Sequence, residues 1–397
     1  MTLPKEIMRI EDLVVKFYTY EGIVEAIDGI NLTLREGETL GLVGETGCGK
    51  SVTSLSAMVL VPSPGKIEKG KIILQKGGKD VDLIREKEAT MRNIRGDDMA
   101  MIFQDPRSAL NPVYSVEDQI GEVFVHHRLK ELCEKVLENI EKDILSLKSQ
   151  RKEKGARAKG LRTSILKFQR ARYQKMRDNP KALSLKFWSR IPIVNRYQGK
   201  LKKEIKKEVV RVLGAMKIPD PDRVAGMYPH ELSGGMAQRV VIAMALGCNP
   251  EILIADEPTT NLDVTVQAQI LELIRELKGE YESSVLYITH DLGVVAEVCD
   301  RVAVMYAGNV CELADVASVF KNPLHPYTQA LLASIPRPGK DFTSIEGEVP
   351  ALINPPTGCR FNPRCGKATE LCTREKPKLL EVEKDHFVMC HLYTGNS

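Results

Sequence analysis

The chain has 397 residues and a formal net charge of +4, enough for one large domain with attachments or for two modest domains. Hydrophobic residues make up 43% and charged residues 28%, the balance of a globular chain that buries a real core. No apolar run approaches the roughly 20 residues that span a bilayer, and Met1–Glu6 lacks the pattern of a signal peptide, so a cytoplasmic place is expected.

In chain order, Ile7–Phe17 and Gly29–Leu34 alternate apolar and polar residues as half-buried strands do. Glu38–Val43 is a short apolar run that ends in glycine, and a helix is predicted from Lys50. Between them stands Gly44-Glu45-Thr46-Gly47-Cys48-Gly49-Lys50-Ser51, followed by Val52, a full match to G-x-x-x-x-G-K-[ST] in its strand-to-helix context. Its glycines let the backbone curl so that successive N–H groups face phosphate oxygens, and the helix N-terminus adds positive potential. Lys50 then reaches the β- and γ-phosphates and the Ser51 hydroxyl ligates Mg²⁺. Asp98–Phe103 and Ile252–Ala255 read as further buried strands. The second delivers Asp256 beside the metal ion and Glu257 one residue beyond, where it polarises an attacking water. Val264–Lys278 has apolar residues at helical spacing, and Ser284–Thr289 returns to strand. Strands alternating with helices predict a parallel sheet covered on both faces.

Charge and cysteine are unevenly spread. From Glu141 to Lys207 there are 22 basic and 5 acidic residues, a local balance of +17, against −13 for the remainder. This basic block interrupts the α/β pattern, and Ser146–Arg172 within it reads as one long charged helix. Its bland reading is a solvated helical hairpin. The sharper one sets Phe187-Trp188 and Arg190–Tyr197 against an anionic membrane surface. Further boundaries fall at Lys321–Pro326 and at Pro350–Pro356. Beyond them Cys359, Cys365, Cys372 and Cys390 crowd together, which in a reducing compartment reads as metal or iron–sulfur ligation before disulfides. Their spacings, with five, six and seventeen intervening residues, are wider than those of a zinc knuckle, and zinc stays open beside iron–sulfur.

Further motifs carry a resemblance. Leu232-Ser233-Gly234-Gly235-Met236 is similar to the signature sequence of ABC-type ATPases, and it lies upstream of Asp256-Glu257 as in that family. Gln104 resembles the family's glutamine loop, Asn261-Leu262-Asp263 its D-loop, and Thr289-His290-Asp291 its switch histidine. The resemblance implies ATP and Mg²⁺ as cofactors and head-to-tail pairing, with Ser233, Gly234 and Gly235 of one subunit capping the nucleotide on another. It gives His290 the γ-phosphate and the water, makes Gln104 couple Mg²⁺ to the helical region, and lets Tyr20 stack on adenine, with Phe17 and Tyr18 left open as core packing.

Phe103–Pro112, Tyr228–Met236, Leu262–Gln267 and Asn322–Leu331 resemble the oligopeptide/dipeptide importer ATPases over nearly all of the chain except the basic block. This implies an α/β fold with a RecA-like parallel sheet core, a helical subdomain and a small cysteine-rich extension. The layout expected is an ATPase domain over 5–320, its helical subdomain over about 106–250 with a basic insertion at 131–203, and an extension over 321–397 in which the four cysteines hold a [4Fe-4S] cluster. The implied partners are two permeases, a second homologous ATPase and, indirectly, an extracytoplasmic solute-binding protein, at the cytoplasmic face of the membrane. Oligosaccharides or nickel remain alternative cargoes. A nucleic-acid-linked ABC ATPase is the rival class, disfavoured by the single phosphate loop and the absence of long coiled coil. A pure interaction module with a dead site is disfavoured by the intact Lys50, Glu257 and His290.

Overall fold

The computed structural model describes residues 5–149, 156–179, 199–260, 262–335 and 345–394. The chain forms two compact units, one made of the residues up to Asp105 together with those from Asn249 onward, the other of Pro106–Cys248.

The first unit holds twelve described strands: β1 (Glu6–Thr19), β2 (Gly22–Arg35), β3 (Thr39–Val43), β4 (Gly65–Lys76), β5 (Lys79–Asp82), β6 (Met99–Ile102), β7 (Ile252–Asp256), β8 (Ser284–Ile288), β9 (Arg301–Tyr306), β10 (Asn309–Asp315), β11 (Leu380–Glu383) and β12 (His386–Val388). They form a four-stranded sheet in the order β2-β1-β4-β5 and an eight-stranded sheet in the order β11-β12-β10-β9-β3-β8-β7-β6. The smaller sheet is antiparallel throughout. In the larger one β9, β3, β8, β7 and β6 are parallel, and β10, β12 and β11 are antiparallel.

The expected parallel sheet is present as a core of five strands, and the sheet as a whole is mixed. The cause is local. Ala307 and Gly308 join β9 to β10 with φ of 44° and 81°, the two-residue hairpin turn whose twist suits antiparallel neighbours. The C-terminal residues do not close on themselves either, since Glu312 and Leu313 of β10 pair with Val388 and Phe387 of β12.

Burial follows the two-residue period of the strands. Leu40 and Leu42 of β3, with Ala303 and Met305 of β9, belong to a core shared with Ile10, Leu13 and Ile27 of the smaller sheet. Val43, with Val302, Val304 and Tyr306, points into a second core with Val295, Tyr327 and Phe361. Strands buried on both faces read as near-continuous apolar runs, which is why Thr-Leu-Gly-Leu-Val and Ile-Leu-Ile-Ala-Asp have no alternation in sequence.

The second unit is helical. Ser115 caps the helix Val116–His127 by accepting from the Asp118 N–H. The stretch expected as one charged helix over Ser146–Arg172 is instead shared between the helices Leu129–Ser149 and Ala156–Asp178. They pack on one another, and Leu132, Val136, Ile140 and Ile144 bury one face of the first at four-residue spacing. Tyr173 is buried and accepts from the Leu201 N–H of the helix Gly199–Ala215 at 3.3 Å. Arg170 pairs with Glu141 at 2.9 Å and Lys200 with Asp143 at 2.6 Å, so part of the basic block is ion-paired helix. The segment Phe187–Tyr197, read above as membrane-facing, lies outside the described residues. Among the described residues no helix is long and apolar enough to cross a membrane.

Candidate functional site

The loop Gly44–Gly49 leaves β3 and enters the helix Lys50–Ala57. Gly44 sits at φ 154°, where an added Cβ would stand 2.1 Å from the Met305 carbonyl oxygen; no larger residue fits there. Lys50 is buried and folds back, its Nζ donating to the carbonyls of Gly44 at 2.8 Å and Glu45 at 3.1 Å. Those weak neutral acceptors are ones a phosphate oxygen would displace. Cys48 is fully buried, and its Sγ accepts from Lys50 Nζ at 3.9 Å.

The acidic pair ends β7. Asp256 is buried, its Oδ1 accepting from Ser51 Oγ at 3.2 Å and its Oδ2 from Ser54 Oγ at 3.1 Å. Burial pushes its carboxyl up, and the two hydroxyls oppose that. Glu257 follows with φ 45°, a left-handed conformation that is strained for a non-glycine residue. Its N–H donates to the Ile288 carbonyl at 2.9 Å. Its Oε2 accepts from Gln104 Nε2 at 2.9 Å and Thr260 Oγ1 at 3.0 Å, and its Oε1 meets His290 Nδ1 at 3.1 Å. Burial pushes this carboxyl up, but the hydrogen bonds from His290 and Thr260 outweigh it and hold the group below its ordinary value. Ionised and oriented from three sides, it is equipped to take a proton from water.

Beside these groups lies a cavity of about 330 Å³. One wall is polar, with Thr46, Gly47, Lys50, Ser51, Gln104 and Glu257. The other is apolar, with Phe17, Val24, Ala26 and Leu352, and Val52 also reaches the cavity. The donors at the polar end suit a polyphosphate with its Mg²⁺, and the apolar end suits a flat base. Tyr20, expected to stack there, stands fully exposed at the β1–β2 turn, and the aromatic ring at the cavity is Phe17. Leu352 comes from the C-terminal segment, held in place because its carbonyl accepts the Glu25 N–H at 2.8 Å.

The remaining expected residues are placed as follows. Ser233 caps the helix Gly234–Leu246, its Oγ accepting from Met236 N at 3.3 Å. A hydroxyl that accepts in this way keeps its own proton to donate outward, and Gly234 and Gly235 form the half-buried first turn. Asp263 caps the helix Val264–Tyr281 through the Val266 N–H at 2.9 Å, while Asn261 lies outside the described residues. Sequence reasoning missed Ser54 and Thr260, each of which holds a carboxylate oxygen of the acidic pair. For Ser54 a signal existed, since Ser51 and Ser54 share a helix face at three-residue spacing.

The four cysteines are neighbours. The Cys359 N–H donates to the Cys372 carbonyl at 2.8 Å. An added Cβ at Gly358 would stand 2.2 Å from that same carbonyl oxygen, so glycine is required there. Burial pushes the Cys359 thiol up to about 11, with the charges of Cys390, Cys372 and Cys365 adding to the push. Among the described residues, however, no three His, Cys, Asp or Glu side chains converge closely enough to hold a metal ion. The four-thiolate cage implied by the family resemblance is thus not gathered among the described residues.

Comparison with known proteins agrees with this architecture. The family model of the ABC transporter matches residues 27–260, and that of the oligopeptide/dipeptide transporter C-terminal region matches residues 311–372. The dipeptide transport ATP-binding protein DppD of Bacillus subtilis is 41% identical over 392 residues, covering 98% of this chain and 95% of that protein. The oligopeptide transport ATP-binding protein OppD of the same organism is 40% identical over 387 residues, covering 96% of this chain and 87% of that protein. Among solved structures, a bacterial ABC transporter cassette in dimeric form matches with a TM-score of 0.50 and 22% identity, over 78% of this chain and 99% of the other. The Clostridium perfringens protein cbiO1, part of the cbiONQ transporter complex, matches with a TM-score of 0.51 and 23% identity, over 80% of this chain and 92% of the other. These two show the fold. With relatives about two-fifths identical from end to end and both family models in chain order, the chain belongs to the ATP-binding proteins of the oligopeptide/dipeptide ABC transporter family.

Proposed function

We propose that this chain is the ATP-binding and ATP-hydrolysing subunit of an importer of di- or oligopeptides, working at the cytoplasmic face of a membrane against two permease subunits and a second, homologous ATPase. The observation that carries the reading is the Glu257 carboxylate, held by Gln104, Thr260 and His290 at the edge of a cavity that begins at Lys50 and Ser51. The names of DppD and OppD support peptide as the cargo.

Bound MgATP would supply the phosphoryl group and the counter-charge on its oxygens. Lys50 would exchange its two loop carbonyls for phosphate oxygens, and Ser51, with Asp256 behind it, would face the metal. Glu257 would orient the attacking water and receive its proton, while His290 and Gln104 fix the carboxylate plane. Ser233, Gly234 and Gly235 would present their donors to a nucleotide on a partner subunit. Cys359, Cys365, Cys372 and Cys390 would hold a [4Fe-4S] cluster, or zinc, as an element that closes the C-terminal segment. Support for this is the donor chemistry and the mutual proximity of the thiols.

Uptake of a labelled dipeptide by cells lacking this chain tests the whole reading. The wild-type gene should restore uptake and Glu257→Gln should not. Restored uptake of nickel or an oligosaccharide, with none of peptide, would replace the cargo while leaving the engine in place.

A further inference from the structure

Glu45, the second residue of the phosphate loop, does not point its side chain at the cavity. Its Oε2 accepts from Arg364 Nη1 at 2.9 Å, and its backbone N–H donates to the Tyr327 hydroxyl at 3.0 Å. Both partners come from the C-terminal third of the chain; Tyr327 is buried, and the side chain of the half-buried Arg364 is 5% exposed. Each is in turn fixed. Arg364 also donates to the Tyr306 hydroxyl at 3.2 Å and to the Glu346 carbonyl at 2.9 Å. The rings of Tyr306, Tyr327 and Phe361 pack with centroids 4.6 to 5.4 Å apart. Tyr327 is set by His325, whose Nδ1 accepts the Tyr327 N–H at 3.0 Å. The buried Glu312 carboxylate holds that turn by accepting the N–H groups of Leu324 at 2.8 Å and His325 at 2.9 Å.

Arg364 lies one residue before Cys365, and Arg360 one residue after Cys359. Arg360 is also buried and braces the loop from a second side. It donates to the carbonyls of Ala307 at 2.6 Å and Glu25 at 3.1 Å, and the N–H of the next residue, Gly308, donates to the Cys48 carbonyl at 2.8 Å. The run Cys359–Cys365 therefore grips the phosphate loop at Glu45 directly and at Cys48 through the β9–β10 turn.

A phosphate loop binds because its N–H groups are already aimed, so whatever fixes its backbone raises affinity without touching the ligand. We propose that Arg364 and Tyr327 are positioning residues for the phosphate loop, so that the C-terminal cysteine segment sets the affinity of the nucleotide site. The proposal rests on the nucleotide-binding reading above. It goes further by giving Glu45 a partner and the C-terminal segment a task at the nucleotide site.

The test measures equilibrium binding of MgATP and the steady-state hydrolysis constants of the full chain, with thermal denaturation alongside. Arg364→Met should raise Kd and KM for ATP about tenfold, the loss expected for one hydrogen bond to a charged group, while kcat stays within about threefold. Arg364→Lys, which can still donate to Glu45, should recover part of the affinity. The double variant Glu45→Gln with Arg364→Met should bind no more weakly than the worse single variant, because both remove one interaction. Tyr327→Phe, which deletes only the hydroxyl, gives a second reading if Arg364→Met does not fold, and should also raise Kd. Folded variants that bind ATP as tightly as the wild type, or losses that add in the double variant, would overturn the proposal and leave Arg364 as an anchor of the C-terminus. Wild-type protein that binds no ATP would overturn the nucleotide reading itself, a result separable from variants that match a binding wild type.

Discussion

Glu257 and Cys359 lie in the same unit, and the chain prepares the two regions around them differently. Asp256 and Glu257 leave the end of β7, Gln104 follows β6 and His290 follows β8, so three adjacent parallel strands deliver their side chains to one edge of the sheet. The strands fix these groups, and three side chains already hold the Glu257 carboxylate. The cysteines ride instead on a loop, short 3₁₀ turns and the short helix Glu370–Arg374, with Cys390 just beyond β12. They are close in space, yet among the described residues they are not gathered for a metal. A site built on strand ends exists before its ligand, whereas one built on loops is completed by it. Variants at the first should change chemistry or affinity in a folded protein, and variants at the second should change assembly.

The largest expected effect sharpens the first half of that contrast. Lys50→Ala removes a buried cation from a partly desolvated phosphate site, a loss of roughly 2–5 kcal/mol for truncating one partner of such a pair, and ATP affinity should fall at least about thirtyfold with thermal stability little changed. Equilibrium binding beside a melting curve measures both. For the second half, protein purified without oxygen should be brown with about four irons per chain, and Cys359→Ser should abolish both colour and iron. Elemental analysis showing one zinc in a colourless protein would instead make the site a zinc site and keep its structural task.

A smaller effect probes the joint between the regions. Burial holds His325 neutral by pushing its pKa from 6.5 down to about 4. The unfolded chain then binds one more proton between those values, so this contribution to stability is complete above about pH 6.5 and is lost as pH falls toward 4, up to about 3 kcal/mol in all. Thermal midpoints of the wild type should drop across that window more steeply than those of His325→Asn. Parallel curves would remove His325 from the account. The smallest effect belongs to Arg162, Lys167 and Lys175, exposed residues of the second unit. Replacing all three by Gln should change ATP affinity by no more than about twofold, as for surface sites generally. If the hairpin meets anionic lipid, binding to acidic vesicles should fall, and the loss should shrink with added salt.

Legibility in the sequence followed the same divide. Gly44–Ser51 is contiguous, so its chemistry and its strand-to-helix setting were readable together, and the apolar run before Asp256 marked a buried parallel strand. The partners that hold Glu257 from separate strands came only through family resemblance, because pairing order is not written in local spacing. Thr260 and the direction of the Glu45 side chain had no local signal at all. Tyr20 was expected at the base and Phe17 lines the cavity, since a turn of the hairpin decides which of the nearby aromatics faces inward. The mixed sheet was hidden because the β9–β10 turn is Ala-Gly, not one of the common Asn-Gly or Asp-Gly pairs. The C-terminal segment was legible as a row of cysteines, while its use of Arg360 and Arg364 depends on contacts more than 300 residues away in sequence.

The most direct measurement is ATP hydrolysis by Glu257→Gln, with binding measured on the same preparation. The phosphate loop, Ser51 and Asp256 are untouched, so the variant should bind MgATP as the wild type does. Its turnover should fall by roughly 10²–10⁴, the contribution of a positioned general base. Hydrolysis at the wild-type rate, in an assembly where this is the only active site, would contradict the account at its centre.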